Sequence, residues 1–296
     1  MKKHAYLIMA HNNWRILEKL LLLLDDEKND LYIHIDAKVK DFDKKIFDMV
    51  KKSQVTQIAS KEVYWADYSQ VDVTLLLLCS AYHKGQYSYY HLLSGADLPL
   101  KSNDERYYFF ENSGKEFIGI VPKEVWYSVR RVKFYHPFLR NSYYRKCKAL
   151  KVLDRLSEYT QRACRVNRIK DFQGKVLDGW TWFSITDEFC SYIISKKEMI
   201  QKMFQYTIAS DELFMQTMCY NSHFRERLYD MSDLKNGSMR YIDWNRGKPY
   251  TWGAVEEDYE ELISSPYMFA RKFDEGQMQI VDKIFEEIDR RNKNDK

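Results

Sequence analysis

An α/β fold, with a mostly parallel sheet flanked by helices in a single domain, is predicted by three observations on this 296-residue chain. Strand-like apolar runs alternate with helical periodicity through about the first 120 residues, the pattern of βαβ units. The run Tyr89 to Leu100, YYHLLSGADLPL, is almost unbroken aromatic and leucine until a small turn, as in a strand covered on both faces. No segment rich in Gly, Ser or Pro divides the sequence and no internal repeat is evident, so one domain with an insertion is expected.

The elements follow in order. Ala5 to Ala10 reads as the first strand, and the polar turn His11, Asn12, Asn13 starts a helix over Trp14 to Leu24. Leu31 to Ile35 is the second strand and ends at Asp36, so His11 and Asp36 fall on one edge of a parallel sheet, where open α/β sheets bind nucleotides. Lys44 to Lys52 reads as a helix, Val55 to Ile58 as a strand, and Val71 to Tyr82 as an apolar helix leading to the Tyr89 strand. That strand delivers Asp97 to a turn, where the carboxylate either caps the turn before Pro99 or faces a ligand. Asp104 to Asn112 is a further helix and Glu116 to Val121 a further strand.

The character then changes. From Arg140 to Lys170 there are ten Lys or Arg against Asp154 and Glu158, with Leu150, Val152, Leu153 and Leu156 on a helical face. The stretch is either a solvated helical insertion or a basic surface for anionic lipid. Gly179 to Thr186 (GWTWFSIT) returns to strand. Ser210 or Asp211 can cap a helix over Leu213 to Tyr220, with Glu212 in its first turn, as a dipole-compensating acid or a catalytic carboxylate. Beyond Met239 to Trp244 and the basic loop Asn245 to Lys248 come a helix near Glu256 to Ile263, the strand-like FARKF with Lys272, and a charged C-terminal helix.

Composition excludes several classes. With 45% hydrophobic residues the chain can bury a sizeable core. Its 23 Tyr and 7 Trp exceed core needs and suit stacking on sugars, bases or peptides. A net charge of +4 from 47 basic and 43 acidic residues gives no nucleic-acid signature. Five cysteines without CxxC spacing read as mostly buried thiols in a reducing compartment. The N-terminal apolar stretch ends at His11, too short for a secretory signal, and no run approaches the ~20 residues of a membrane span. A cytoplasmic protein, at most peripheral at the inner face of the membrane, is expected.

Taken together, YYHLLSGADLPL, IHIDAK at Ile33 to Lys38, GWTWFSIT, SDELFMQT at Ser210 to Thr217, RYIDW and FARKFD resemble, in order and spacing, the core-2/I-branching β-1,6-N-acetylglucosaminyltransferases, a family that includes peptide O-xylosyltransferases. The resemblance covers nearly the whole chain and is to a bacterial member. Only the stretch from Arg130 to Gln173 has no counterpart in the animal enzymes.

The resemblance implies a GT-A fold and an inverting transfer from a UDP-sugar, GlcNAc by preference, to a glycan or lipid-linked glycan acceptor in surface polysaccharide synthesis. UDP-xylose or another UDP-hexose, or a carbohydrate-binding homologue without activity, are the alternatives. It implies a nucleotide-binding half at about residues 1–125, a basic helical insertion at about 130–173, an acceptor and diphosphate half at about 174–275, and a C-terminal helix. No cofactor and no divalent metal is implied: Asp36, Ala37, Lys38 stands where an Asp-x-Asp metal motif would lie, which leaves one carboxylate without a partner. Glu212 matches the general base and Lys272 a diphosphate cation. His11, Asp36, Trp65 and Asp97 match donor contacts, and Asp211, Trp182 and Trp244 the acceptor side. The arginine that accompanies the lysine in the animal enzymes falls on Pro249, so Arg246 or Lys248, with Arg246 favoured, is expected to replace it, and Arg130 or Arg131 comes next.

Overall fold

A computed structural model describes residues 2–295 apart from positions 142 and 145, both of which lie in the basic stretch. The strands are β1 (Lys3–Ala10), β2 (Asn29–Ile35), β3 (Gln54–Gln57), β4 (Tyr87–Ser94), β5 (Asp97–Pro99), β6 (Phe117–Ile120), β7 (Gly179–Thr186), β8 (Arg240–Ile242) and β9 (Phe269–Arg271). Six of them form one sheet in the order β3-β2-β1-β4-β7-β6. The first four in that order are parallel, while β7 runs antiparallel to both neighbours. This is the mixed, mostly parallel α/β sheet that the sequence predicts. A small second sheet, β5-β9-β8, pairs Asp97 with Arg271.

The helices are α1 (Trp14–Leu24), α2 (Ser69–Lys84), α3 (Asn103–Ser113), α4 (Trp126–Lys133), α5 (Lys148–Ala163), α6 (Asp187–Ser195), α7 (Lys197–Phe204), α8 (Phe214–Tyr220), α9 (Leu234–Ser238), α10 (Glu257–Ser264) and α11 (Met278–Asn294). They sandwich the large sheet. One core layer joins Leu7, Tyr90 and Leu92 to α2, α6, α7 and α8. The other joins Ile8, Ile33 and Leu93 to α1, α11 and the small sheet. Local chemistry fixes the boundaries: Asn13 enters α1 from a left-handed conformation (φ 58°), which asparagine tolerates. Ser102 and Glu105 close a reciprocal cap at the start of α3.

Three expectations are corrected. The helix over 44–52 is a 3₁₀ turn, Lys44–Met49. Neither Ser210 nor Asp211 caps α8, which starts at Phe214; they form with Glu212 a separate 3₁₀ turn, Ser210–Glu212, because the Asp211 carboxylate is drawn to Thr181 instead. Among the cysteines only Cys190 and Cys219 are buried, and Cys164 is exposed. No helix of the described residues is long and apolar enough to cross a membrane.

A polar chain, buried except at its Glu111 end, crosses the sheet. His4 on β1 joins Glu111 of α3 (3.1 Å) and His91 on β4 (3.0 Å), and His91 joins Ser184 on β7 (2.8 Å). Arg240 on β8 donates to Ser184 Oγ at 2.9 Å.

Candidate functional site

The parallel strands β1, β2 and β4 end on one edge, and the reversed strand β7 begins there. Gly95 packs so closely on β1 that a Cβ would lie 2.9 Å from that of Ala10. This close approach brings the turn after β4 against the His11 end of β1. Asp97 is buried in that turn, bound by Ser94 N (2.8 Å), Ser94 Oγ (2.7 Å) and Arg271 Nη1 (2.7 Å). Asp97 therefore closes its own turn, and its charge is met by the arginine side chain of Arg271.

Arg271 and Lys272 are delivered by β9. Phe273 N donates to Ala96 O in the Asp97 turn, and the buried Trp252 bonds Lys272 O through its backbone N–H (3.1 Å) and Arg271 O through its ring N–H (2.9 Å). The Arg271 guanidinium lies 4.1 Å over the Trp182 ring. Partial desolvation lowers the pKa of His11; Asp36 works against this, and Lys38, Arg271 and Lys272 add to it. His11, Asp36, Arg271 and Lys272 thus share one electrostatic neighbourhood. Asp36 itself is buried and paired with Lys38 at 2.9 Å.

On the other side of β7, Thr181 Oγ1 donates to the buried Asp211 at 2.8 Å, while Asp211 Oδ1 has no partner among the described residues. Next in the turn, Glu212 has a half-exposed carboxylate that accepts from Arg131 Nη2 at 3.0 Å. Arg131, buried on α4, also donates to Ile208 O (2.9 Å) and Ala209 O (2.5 Å), so one guanidinium shapes the turn and holds its acid. Burial raises the pKa of Glu212, Asp211 adds to the rise, and Arg131 opposes it. Ala209 N bonds Ala66 O at 2.7 Å, which sets the half-exposed Trp65 beside this turn.

The expected replacement cations are redirected. Arg246 is occupied by carboxylates: Nε by Asp243, Nη1 by Asp258 (2.9 Å) and Nη2 by Glu261 (2.8 Å). Lys248 is exposed. Arg130 bonds Glu158 and Arg131 holds Glu212, so neither is left as a spare cation. The arginine that adjoins Lys272 is Arg271, which bonds Asp97 and lies over Trp182; the RK pair in FARKF carries it, and the sequence was read there for its lysine alone. Trp244 is half exposed, and Trp182 is partly buried under Arg271. A recess of about 600 Å³ opens beside the Trp65 turn, lined by Asp67, Tyr68, His136, Arg140 and Tyr206, and lies apart from the Lys272 edge.

Among the described residues no group of three or more His, Cys, Asp or Glu side chains could hold a metal ion. Arg271 at the end of β9 stacks on Trp182 of β7 with Lys272 next in the chain, and the neighbouring Thr181 holds the Ser210–Glu212 turn through Asp211.

No curated protein matched the sequence. Among solved structures the chain is similar to S. aureus TarS 1-349 in complex with UDP-GlcNAc, at 10% identity and a TM-score of 0.29, over 48% of this chain and 42% of that one. A likeness of that size carries no argument. The family model for the core-2/I-branching enzyme, by contrast, matches residues 4–264, which holds β1 from its second residue through β8 and the Asp97 and Glu212 turns but stops before β9 and Lys272. The chain belongs to the core-2/I-branching enzyme family.

Proposed function

We propose that the protein transfers a sugar, GlcNAc first among the candidates, from a UDP-sugar to a glycan hydroxyl in one displacement that inverts the anomeric centre and uses no divalent metal. The observation that carries this reading is the pair of neighbours on β7. Thr181 anchors the acidic turn that ends in Glu212, and Trp182 carries the guanidinium of Arg271 beside Lys272. A base on one side and cations on the other suit direct displacement of a diphosphate. Glu212 takes the proton of the acceptor hydroxyl while Arg271 and Lys272 meet the charge that grows on departing UDP. His11, Asp36, Trp65 and Asp97 frame the donor, Asp97 by fixing Arg271. Trp244 and Asp211 belong to the acceptor side. UDP-xylose or another UDP-hexose fits the same chemistry, whereas a purely carbohydrate-binding role leaves the Arg131-held glutamate without a task.

The test is a panel of UDP-sugars assayed for hydrolysis and transfer in EDTA. Activity should persist in the chelator. Glu212→Gln should lower turnover by on the order of 10²- to 10⁴-fold, with UDP affinity by calorimetry nearly unchanged. Complete inactivation by EDTA that metal restores, or a Glu212→Gln variant that loses UDP binding at full turnover, sinks the assignment.

A further inference from the structure

Helix α5 is amphipathic with its burial reversed. Its two acids are its buried side chains: Asp154 accepts from His136 Nδ1 (2.8 Å) and Tyr144 Oη (3.3 Å), and Glu158 from Arg162 (2.5 Å) and Arg130 (3.4 Å). With both acids turned inward, the exposed charges of the helix are Lys148, Lys151, Arg155 and Arg162, all positive. Opposite the buried acids, at ~100° per residue, runs an apolar stripe. Val152, Leu153, Leu156 and Tyr159 are 52, 47, 56 and 67% exposed. Trp126, 54% exposed at the start of α4, borders the stripe, with the Arg162 guanidinium 5.7 Å from its ring.

We propose that α5 docks the protein on an anionic membrane surface, lying in the headgroup plane. Val152, Leu153, Leu156 and Tyr159 enter the acyl boundary, and Lys148, Lys151 and Arg155 sit among lipid phosphates while Arg162 stays on Glu158. Charge complementarity selects this occupant. A second copy meeting the same face across a two-fold axis would set Lys148, Lys151 and Arg155 against the same three cations. A soluble polyanion would match the cations and leave the stripe wet. The seat of α5 also adjoins the catalytic turn, since Arg130 binds Glu158 while its neighbour Arg131 holds Glu212. Docking through α5 therefore brings the base toward an acceptor presented at the lipid surface.

The full chain is tested by co-sedimentation with vesicles of phosphatidylcholine alone and of phosphatidylcholine with phosphatidylglycerol. Binding is expected to the mixed vesicles only and to fall as salt rises. The double variant Leu153→Glu/Leu156→Glu should weaken it at least about tenfold, with an unchanged circular dichroism spectrum because both residues are exposed. Lys151→Gln/Arg155→Gln should weaken it as well. Equal binding to neutral and mixed vesicles overturns the proposal, as does binding that is indifferent to the glutamates. A dimer in solution that the glutamates dissociate, without vesicle binding, assigns the face to a second copy instead. None of these readouts involves a UDP-sugar, so their outcome is independent of the donor chemistry.

Discussion

At the scale of single residues, the basicity of Glu212 is a balance between surroundings that raise its pKa and an arginine that lowers it. Under the proposed mechanism Glu212 acts as a base only when deprotonated, so activity should fail as pH drops through its pKa, which lies above the 4.5 of an ordinary glutamate. Removing the opposing charge in Arg131→Gln is expected to move the acid limb of kcat/KM to higher pH, a shift that loss of folded protein does not produce. A limb that stays in place or moves down would take Arg131 out of this role. An acid at the approach to α8 was legible in SDELFMQT, read as the first turn of that helix where the structure has a separate 3₁₀ turn, and its proposed role came from the family resemblance. Arg131 was not: it sits in a run of cations, and its partner lies 81 residues away, beyond the reach of any local pattern.

Among elements, the loop before Pro249 shows how a charge in sequence differs from a charge available to a ligand. Arg246 had the forked geometry suited to phosphate, but three carboxylates surround it, one of them the fully buried Asp258. Arg246→Ala is therefore expected to leave UDP affinity unchanged. It should lower stability by about 1 kcal/mol, because the guanidinium is 39% exposed and screened, and Asp258 keeps its bonds from Tyr250, Gly253 and Ala254. Calorimetric UDP binding with a melting curve separates the two effects, and a large loss of affinity would return Arg246 to the diphosphate. The strands were legible because continuous apolar runs leave no other reading for β1, β2 and β4. For α5 the sequence left a solvated helix and a lipid-facing basic surface both open, and the partners of Asp154 and Glu158 show that its apolar stripe faces outward.

For the molecule as a whole, buried histidines couple stability to acidity. His34 on β2 is buried, its Nε2 accepts from Lys61 N at 2.9 Å, and burial lowers its pKa to about 4. Above pH ~6.5 the residue is neutral in both folded and unfolded chains and adds no pH dependence. Below that, the unfolded chain binds a proton that the native one refuses, so stability is lost progressively down to about pH 4. His4 and His91 are depressed in the same sense by burial, while Glu116, raised to about 7 by burial, acts in the opposite direction between its two pKa values. The difference in unfolding free energy between wild type and His34→Gln should change by about 2–3 kcal/mol between pH 7.5 and pH 4.5, in favour of the variant at low pH. Parallel denaturation curves at the two pH values would remove His34 as the cause.

The polar chain across the sheet has one permitted order of protons. A guanidinium can only donate and a carboxylate can only accept, so Arg240 and Glu111 fix the two ends. Glu111 takes the Nε2 proton of His4, which leaves His4 Nδ1 bare to accept from His91 Nε2. His91 Nδ1 is then bare in turn and takes the Ser184 hydroxyl proton, while that oxygen accepts from Arg240. Both imidazoles are neutral and both carry hydrogen on Nε2, and every bond from β8 to α3 points the same way. The sheet thus holds a row of aligned dipoles across its strands, each turning its hydrogen toward the Glu111 carboxylate at α3 and its lone pair toward the Arg240 guanidinium at β8, and reversing one member would require reversing them all.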